Sequence, residues 1–161
     1  LMTSFVKVFV VVIVLHCVII VVQYFIAGTV AKKNPFGLIK NMIPAYTTAI
    51  GTQSSAATIP DTVQCTKNND VSDAIAEFVC PLCATIHLSG STITLTSCSI
   101  AVMMMLGQPV SFGKMFPFIL MLGITMVAAP GVPGGAVMAV LGQLESMLQC
   151  GAALQDVMIA V

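Results

Sequence analysis

Apolar residues run almost unbroken from Phe5 to Val30, rich in valine and isoleucine, until Lys32 and Lys33 close the run. In water such β-branched stretches favour strands, but a lone strand in lipid leaves its backbone unsatisfied, so a helix is expected. Residues 1–33 are therefore predicted as one transmembrane helix, and the paired lysines point its far end toward the cytoplasm. The pattern then changes. Pro35 to Ile50 keeps helical spacing but meets Gly51 to Pro60, where six of ten positions are polar or glycine; apolar spacing resumes over Asp61 to Thr66 and stops at Lys67-Asn-Asn-Asp70. Arms this short enter a bilayer, turn on small polar residues and leave by the same face, so 34–70 is predicted as a re-entrant hairpin.

Ser72 followed by Asp73 and Glu77 reads as a helix start, because acids near a first turn complement the helix dipole. The helix predicted over 71–108 is interrupted between Thr85 and Thr94, where Gly90 stands between serines. A second hairpin is predicted over 109–149. Phe112 to Val127 enters, Ala128 to Gly135 breaks with two prolines and three glycines, and Ala136 to Leu148 leaves. That density of proline and glycine stops a helix. Residues 150–161 read as the start of a last helix that is cut off, so the chain is expected to be a piece of something longer.

Composition turns this pattern into a membrane assignment. Apolar residues make up 58% of the chain and charged residues 7%, against roughly 25% charged in soluble domains. Uncharged stretches of 24, 20, 36 and 30 residues, 110 in all, separate the charges flanking them. About 20 helical residues cross a hydrocarbon core roughly 30 Å thick, so each stretch is long enough to enter a bilayer deeply. Six lysines and no arginine balance six acids, which excludes a nucleic-acid partner, since none of the positive stripe needed to displace counterions is present. The run at the N-terminus is too long for a secretory signal and lacks a clear cleavage site.

Side chains that could carry chemistry are few. The six cysteines (17, 65, 80, 83, 98, 150) fall in or beside apolar runs and read as small helix-packing residues. Cys80-Pro-Leu-Cys83 is formally a CxxC, but no second pair completes a zinc site and no thioredoxin-like pattern surrounds it. His16, near the middle of the first span, reads as packed toward a neighbouring helix. Nothing pairs a nucleophile with a base, cradles a phosphate or clusters metal ligands, so no enzyme and no cofactor are expected.

The breaks themselves carry the functional signal. Pro60 and Pro133 occupy corresponding points of two units, each a short arm, a small-residue tip, a returning arm and a following helix. Interrupted short segments at matching positions mark the binding site of inverted-repeat transporters. Irregular backbone persists at membrane depth only when buried in protein or lining a cavity. Tips of this kind can bind a polar solute through backbone groups and hydroxyls without charged side chains. The competing reading is that Gly, Pro and Ser/Thr merely pack helices together; three such clusters, each interrupting a span, favour the functional one.

These residues resemble the dicarboxylate/amino acid:cation symporters that include the glutamate transporters. Gln53-Ser-Ser-Ala-Ala-Thr-Ile-Pro60 is similar to the family's serine-rich first hairpin tip, Gly131-Val-Pro-Gly134 to its second, and Pro81-Leu-Cys-Ala-Thr-Ile86 to the helix leading into its unwound segment. The resemblance covers nearly the whole chain. It implies an all-α integral membrane fold: a transport-domain fragment with two re-entrant helical hairpins and a broken transmembrane helix, a glutamate-transporter-like inverted repeat. It implies cation-coupled symport of a small dicarboxylate or amino acid by elevator-like movement. A channel-like or non-transporting membrane scaffold is the alternative, and would have continuous spans.

Residue by residue, the resemblance places Ser54 and Ser55 at the solute from the first tip, and Val132 and Gly134 as the second tip's covering gate. It places Ser91 where the family has a solute-holding threonine. Thr85, Leu88 and the backbone near Val127 and Ala129 match positions of one sodium site. The unwound segment departs from the family's Asn-Met-Asp-Gly-Thr, reading His87-Leu-Ser-Gly-Ser91. Ser89 for an aspartate removes a negative charge from a cation site, and neutral imidazole is a poor ligand for a hard cation. The coupling cation is thus Na+ or H+, with His87 the proton carrier in the second case, since an imidazole titrates near neutrality. Asp61 stands where an apolar residue commonly follows the proline. A carboxylate costs about 2.5–3.5 kcal/mol at a bilayer-embedded helix centre, so Asp61 is expected to face water, a partner or the solute path. The resemblance further implies a homotrimer in the full-length protein and a bacterial cell (inner) membrane. The residues that read the solute belong to the family's last helix.

Overall fold

The computed structural model describes residues 2–105, 107–129, 131, 132 and 134–148. The predicted last helix, Cys150 and Pro133 lie outside them. The described residues form seven α-helices and no strand: α1 (Met2–Ala31), α2 (Pro35–Thr52), α3 (Ile59–Lys67), α4 (Asp73–Ile86), α5 (Ser89–Met105), α6 (Phe112–Met126) and α7 (Gly135–Leu148). Two stretches are long and apolar enough to cross a membrane, Val6–Ala31 with 26 residues and Asp73–Met105 with 33. The arms α6 and α7 have only 15 and 14 residues, about 22 Å of helix each, short of a hydrocarbon core roughly 30 Å thick.

The chain divides into two compact units. One comprises Leu15–Thr85 with the short stretch Gly131–Pro133. In it α1 ends in a Schellman turn: Lys33 N–H donates to Gly28 O at 2.9 Å and Lys32 N–H to Thr29 O at 3.4 Å, with Lys32 left-handed at φ +53. A side chain at Gly28 would meet Pro35 Cγ at 2.8 Å and Lys33 O at 2.9 Å, so glycine is what lets the chain double back. Asn34 caps α2, its Oδ1 accepting from Phe36 N–H at 3.0 Å, and Pro35 opens the helix where its missing N–H has no partner to lose. α2 and α3 fold back on each other. Asn69 Nδ2 donates to Leu38 O at 3.2 Å and Asn41 Nδ2 to Asn69 Oδ1 at 2.8 Å, tying the start of α2 to the end of α3.

The predicted start of α4 holds in part. Ser72 O accepts from Ile75 N–H and Ala76 N–H, and Asp73 lies in the first turn. Glu77 lies a turn further on and instead pairs with Lys67 at 2.7 Å, which Asp73 joins at 3.3 Å.

The second unit comprises Leu1–Val14, Ile86–Pro130 and Gly134–Val161. Here α5, α6 and α7 share one core. Met115, Phe118, Leu122 and Met126 recur at helical spacing on α6 and face Val140, Leu144 and Leu148 of α7, with Leu95, Val102 and Met103 from α5. Phe118, Leu122, Val140 and Leu144 are completely buried. Gln143 Nε2 donates to Thr125 Oγ1, a polar stitch between the two arms.

Two boundaries differ from expectation. The first tip shortens to Gln53–Thr58, because α2 runs on to Thr52 and α3 starts at Ile59. The interruption after α4 is only His87 and Leu88; Gly90 and its flanking serines already belong to α5. Threonine hydroxyls explain the second difference. Thr92 Oγ1 donates to Leu88 O at 3.0 Å and Thr94 Oγ1 to Gly90 O at 3.1 Å, so polar side chains bond back to the preceding turn instead of opening it. The cysteines Cys17, Cys65, Cys80, Cys83 and Cys98 are free thiols; Cys65 is buried and Cys17 exposed.

Candidate functional site: the hairpin tips and the helix break

At the first tip the backbone turns on Gln53, which is left-handed at φ +50 and donates its N–H to Ala49 O at 2.9 Å. A non-glycine residue there is sterically disfavoured by roughly 1–2 kcal/mol, so its surroundings must hold it. Threonines brace both sides. Thr52 Oγ1 reaches Thr48 O at 2.9 Å and lies 3.3 Å from Thr58 Oγ1, while Thr58 Oγ1 donates to Ser54 O at 2.7 Å. Thr58 is 5% exposed, so its hydroxyl belongs to the tip's interior and not to its rim.

Within the same unit the tip is fastened to Gly131. Ser54 Oγ donates to Gly131 O at 2.7 Å, and Ala56 N–H donates to the same carbonyl at 3.3 Å. Both lone pairs of that oxygen are thereby engaged. Ser54 Oγ also accepts from Ala57 N–H at 3.3 Å. A Cβ at Gly131 would lie 3.4 Å from Ala56 N and 3.6 Å from Ser55 Cβ, ordinary contact with little room beyond it. Ser54 is half-buried, while Ser55 and Val132 are exposed. Of the two serines matched to solute contact, one thus closes the tip onto the chain and the other stands open.

The remaining candidates divide by unit. Thr85 shares a unit with Ser54, Ser55 and Val132; it is exposed, and its hydroxyl donates to Leu82 O at 2.9 Å. The other unit holds His87, Leu88, Ser89, Ser91, Val127, Ala129 and Gly134. At the break, Leu88 O accepts from Thr92 N–H at 3.0 Å, and His87 Nε2 lies 3.5 Å from Ser89 Oγ. Leu88 packs on the buried cluster shared by α5, α6 and α7. Past α6 the chain leaves in tight turns, Val127 N–H to Ile124 O and Ala129 N–H to Met126 O, each 3.2 Å. Gly134, at φ +74, offers its carbonyl to Met138 N–H at 3.1 Å and so opens α7. Ser91 is half-buried on α5.

Sequence reasoning missed several polar groups here. Gly131 O is the acceptor that joins the tips, although only its neighbours Val132 and Gly134 were matched to a role. Thr52 and Thr58 flank the turn; their placement just outside the Ser-Ser pair was the available signal. Buried Thr96 Oγ1 and Gln143 Oε1 have no hydrogen-bond partner, two oxygens in the unit that also holds the break. Asp61 sits half-buried in the first turn of α3, where the helix dipole favours a carboxylate.

Comparison with known proteins places these elements in one family. The sodium:dicarboxylate symporter family matches residues 1–161. The chain is 29% identical over 117 residues to neutral amino acid transporter A of Homo sapiens, covering 72% of this chain and 22% of that protein. It is 30% identical over 131 residues to an excitatory amino acid transporter of Caenorhabditis elegans, covering 81% and 25%. It is 30% identical over 135 residues to excitatory amino acid transporter 1 of Rattus norvegicus, covering 83% and 24%. The chain thus spans about a quarter of the length of these relatives.

Proposed function

Because the chain belongs to the sodium:dicarboxylate symporter family, we propose that it forms the solute-binding core of a secondary active transporter, carrying a small dicarboxylate or amino acid across a membrane with a coupled cation. The observation that carries this reading is the bond from Ser54 Oγ to Gly131 O. Two interrupted segments, neither continuing as a helix, meet through polar groups. Irregular backbone of this kind is stable at membrane depth only where it lines a cavity or is enclosed by protein. A solute at Ser55 and the neighbouring backbone would be covered by the stretch containing Val132, and released when the Gly131 bonds open. On this reading α2–α3 and α6–α7 are re-entrant, the tips are the gate, and the core moves as an elevator within a homotrimer.

The coupling cation is sodium on the family's example, with the oxygens at Leu88, Val127 and Ala129 as its matched ligands. Backbone carbonyls suit a hard cation. Proton coupling is the second reading, favoured by the His87 imidazole beside Ser89 at the helix break. The proposed setting is an integral membrane; the relatives named above are animal proteins and lend the bacterial inner membrane no support.

The test is uptake by the full-length protein in proteoliposomes, across a panel of amino acids and C4-dicarboxylates under imposed sodium or proton gradients. Concentrative uptake that collapses with one of the two gradients is expected. Equilibration without accumulation would replace the symporter with a channel, and no flux under any gradient would leave a scaffold.

A further inference from the structure

At the C-terminal end of α1, two adjoining cavities open in the Leu15–Thr85 unit, of about 200 and 360 Å³, sharing Lys33, Leu38, Asn69 and Asp70. The larger one is a trough lined by Ala27, Ala31, Leu38, Met42 and Val71, together with the polar Tyr24 and Thr66. Its volume is at the small end of ligand clefts, roughly 300–1,000 Å³. Ala27 and Ala31 are one helical turn apart, so small side chains leave the trough open along α1. Tyr24 lies seven positions before the end of α1 at Ala31, about 10 Å along the helix. The trough therefore starts where the apolar span ends in lysines, at the membrane–water boundary, and runs into the hydrocarbon.

The smaller cavity at its mouth is rich in donors. Lys33 Nζ donates to Asn69 O at 2.8 Å and to Asp70 Oδ2 at 2.9 Å. An ammonium has three N–H groups, so one remains. Asn34 uses its Oδ1 to cap α2, which leaves its amide N–H groups for a ligand. Asn41 Nδ2, by contrast, already serves Asn68 O and Asn69 Oδ1. Among the lining residues Lys33 and Asp70 balance each other; Lys32, exposed and next in the chain, is outside the lining and supplies the one positive charge left over beside it.

We propose that this cleft holds one phospholipid of the surrounding bilayer, its phosphodiester on Lys33 and Asn34 and one acyl chain in the trough beside Ala27 and Ala31. A phosphodiester carries a single negative charge and accepts without donating, which matches both the residual charge and the free donors. The mainly apolar lining beside Ala27, Ala31, Met42 and Val71 suits a hydrocarbon chain better than a soluble anion. The inference rests on the membrane setting and not on transport, so it stands or falls separately from the symport reading.

Native mass spectrometry of the delipidated full-length protein, titrated with phosphatidylglycerol, tests it. One tight lipid per subunit is expected beyond the weakly held annulus. Ala27→Phe, which fills the trough without touching the ion pair, and Lys33→Gln should each weaken that lipid roughly tenfold, the loss of about 1.4 kcal/mol. Ala27→Phe keeps the test open if Lys33→Gln fails to fold. Glycerophosphoglycerol and diacylglycerol, carrying the headgroup phosphodiester or the chains alone, should not compete. Equal affinity in the wild type and in Ala27→Phe would overturn the proposal, as would competition by glycerophosphoglycerol at equal concentration, which would make the mouth an anion site only.

Discussion

Ser54 and Gly131 show how much rests on single polar groups in a chain so poor in charge. Ser54→Ala removes a hydroxyl that donates to Gly131 O and accepts from Ala57 N–H. Neutral hydrogen bonds are worth about 0.6–1 kcal/mol in such settings, so the tip should open roughly three- to fivefold more often. Amide hydrogen exchange at Ala56, whose N–H donates to Gly131 O, reads this directly; an exchange rate that Ser54→Ala leaves untouched would show that the bond does not hold the tip. The serine pair was visible in the sequence because it lies in a recognisable motif. Its partner was not, because a backbone carbonyl has no sequence signature and Gly131 is 77 residues away.

The charged residues at the base of the first hairpin behave differently, and their pH response follows in sign. The Lys33 ammonium beside Asp70 holds that carboxyl below its ordinary 3.8, and Glu77, with Asp73, keeps Lys67 protonated above its ordinary 10.5. Asp70's contribution is present above 3.8 and fades as pH falls through its lowered value. That of Lys67 is present below 10.5 and fades as pH rises through its raised one. Both links are exposed, so they position the turn more than they stabilise the fold. A spin label at Asn68→Cys should keep constant mobility between those two ordinary values and loosen beyond them; loosening near neutrality would contradict these pairings.

At the scale of elements, α6 and α7 are set by packing and the first hairpin by its caps. Leu122 is completely buried in the α6–α7 core. In water Leu→Ala costs roughly 2–5 kcal/mol, part transfer and part cavity. In lipid the transfer part largely vanishes, so Leu122→Ala should cost about 2 kcal/mol, measurable as a lower thermal midpoint in detergent; no change would mean the arms are not held by this seam. The arms and both breaks were legible because proline, glycine and charge punctuate them. Their edges were less so: glycine and serine at 89–91 read as a break, yet hydroxyls that bond to i−4 carbonyls let the helix restart at Ser89. The true gap, His87 and Leu88, contains no helix breaker, and only the fold reveals it. His87→Ala in the full-length protein should alter the pH dependence of uptake if His87 carries the proton, whereas an unchanged profile assigns it to holding the gap.

For the whole molecule, family membership follows from the match over residues 1–161, and the transport cycle is proposed for a chain that spans about a quarter of the length of the relatives it matches. Its central claim is that the tip at Ser54–Ser55 and the stretch at Gly131–Val132 part in every cycle. A Cβ at Gly131 would sit 3.6 Å from Ser55 Cβ, inside the roughly 3.5–4.5 Å that a disulfide spans. Solute uptake by full-length Ser55→Cys/Gly131→Cys protein in proteoliposomes, before and after oxidation, is the direct measurement. The account predicts that oxidation stops uptake and that reduction restores it, with either single cysteine variant unaffected by the oxidant. Uptake that continues at its full rate with the cross-link formed would contradict it.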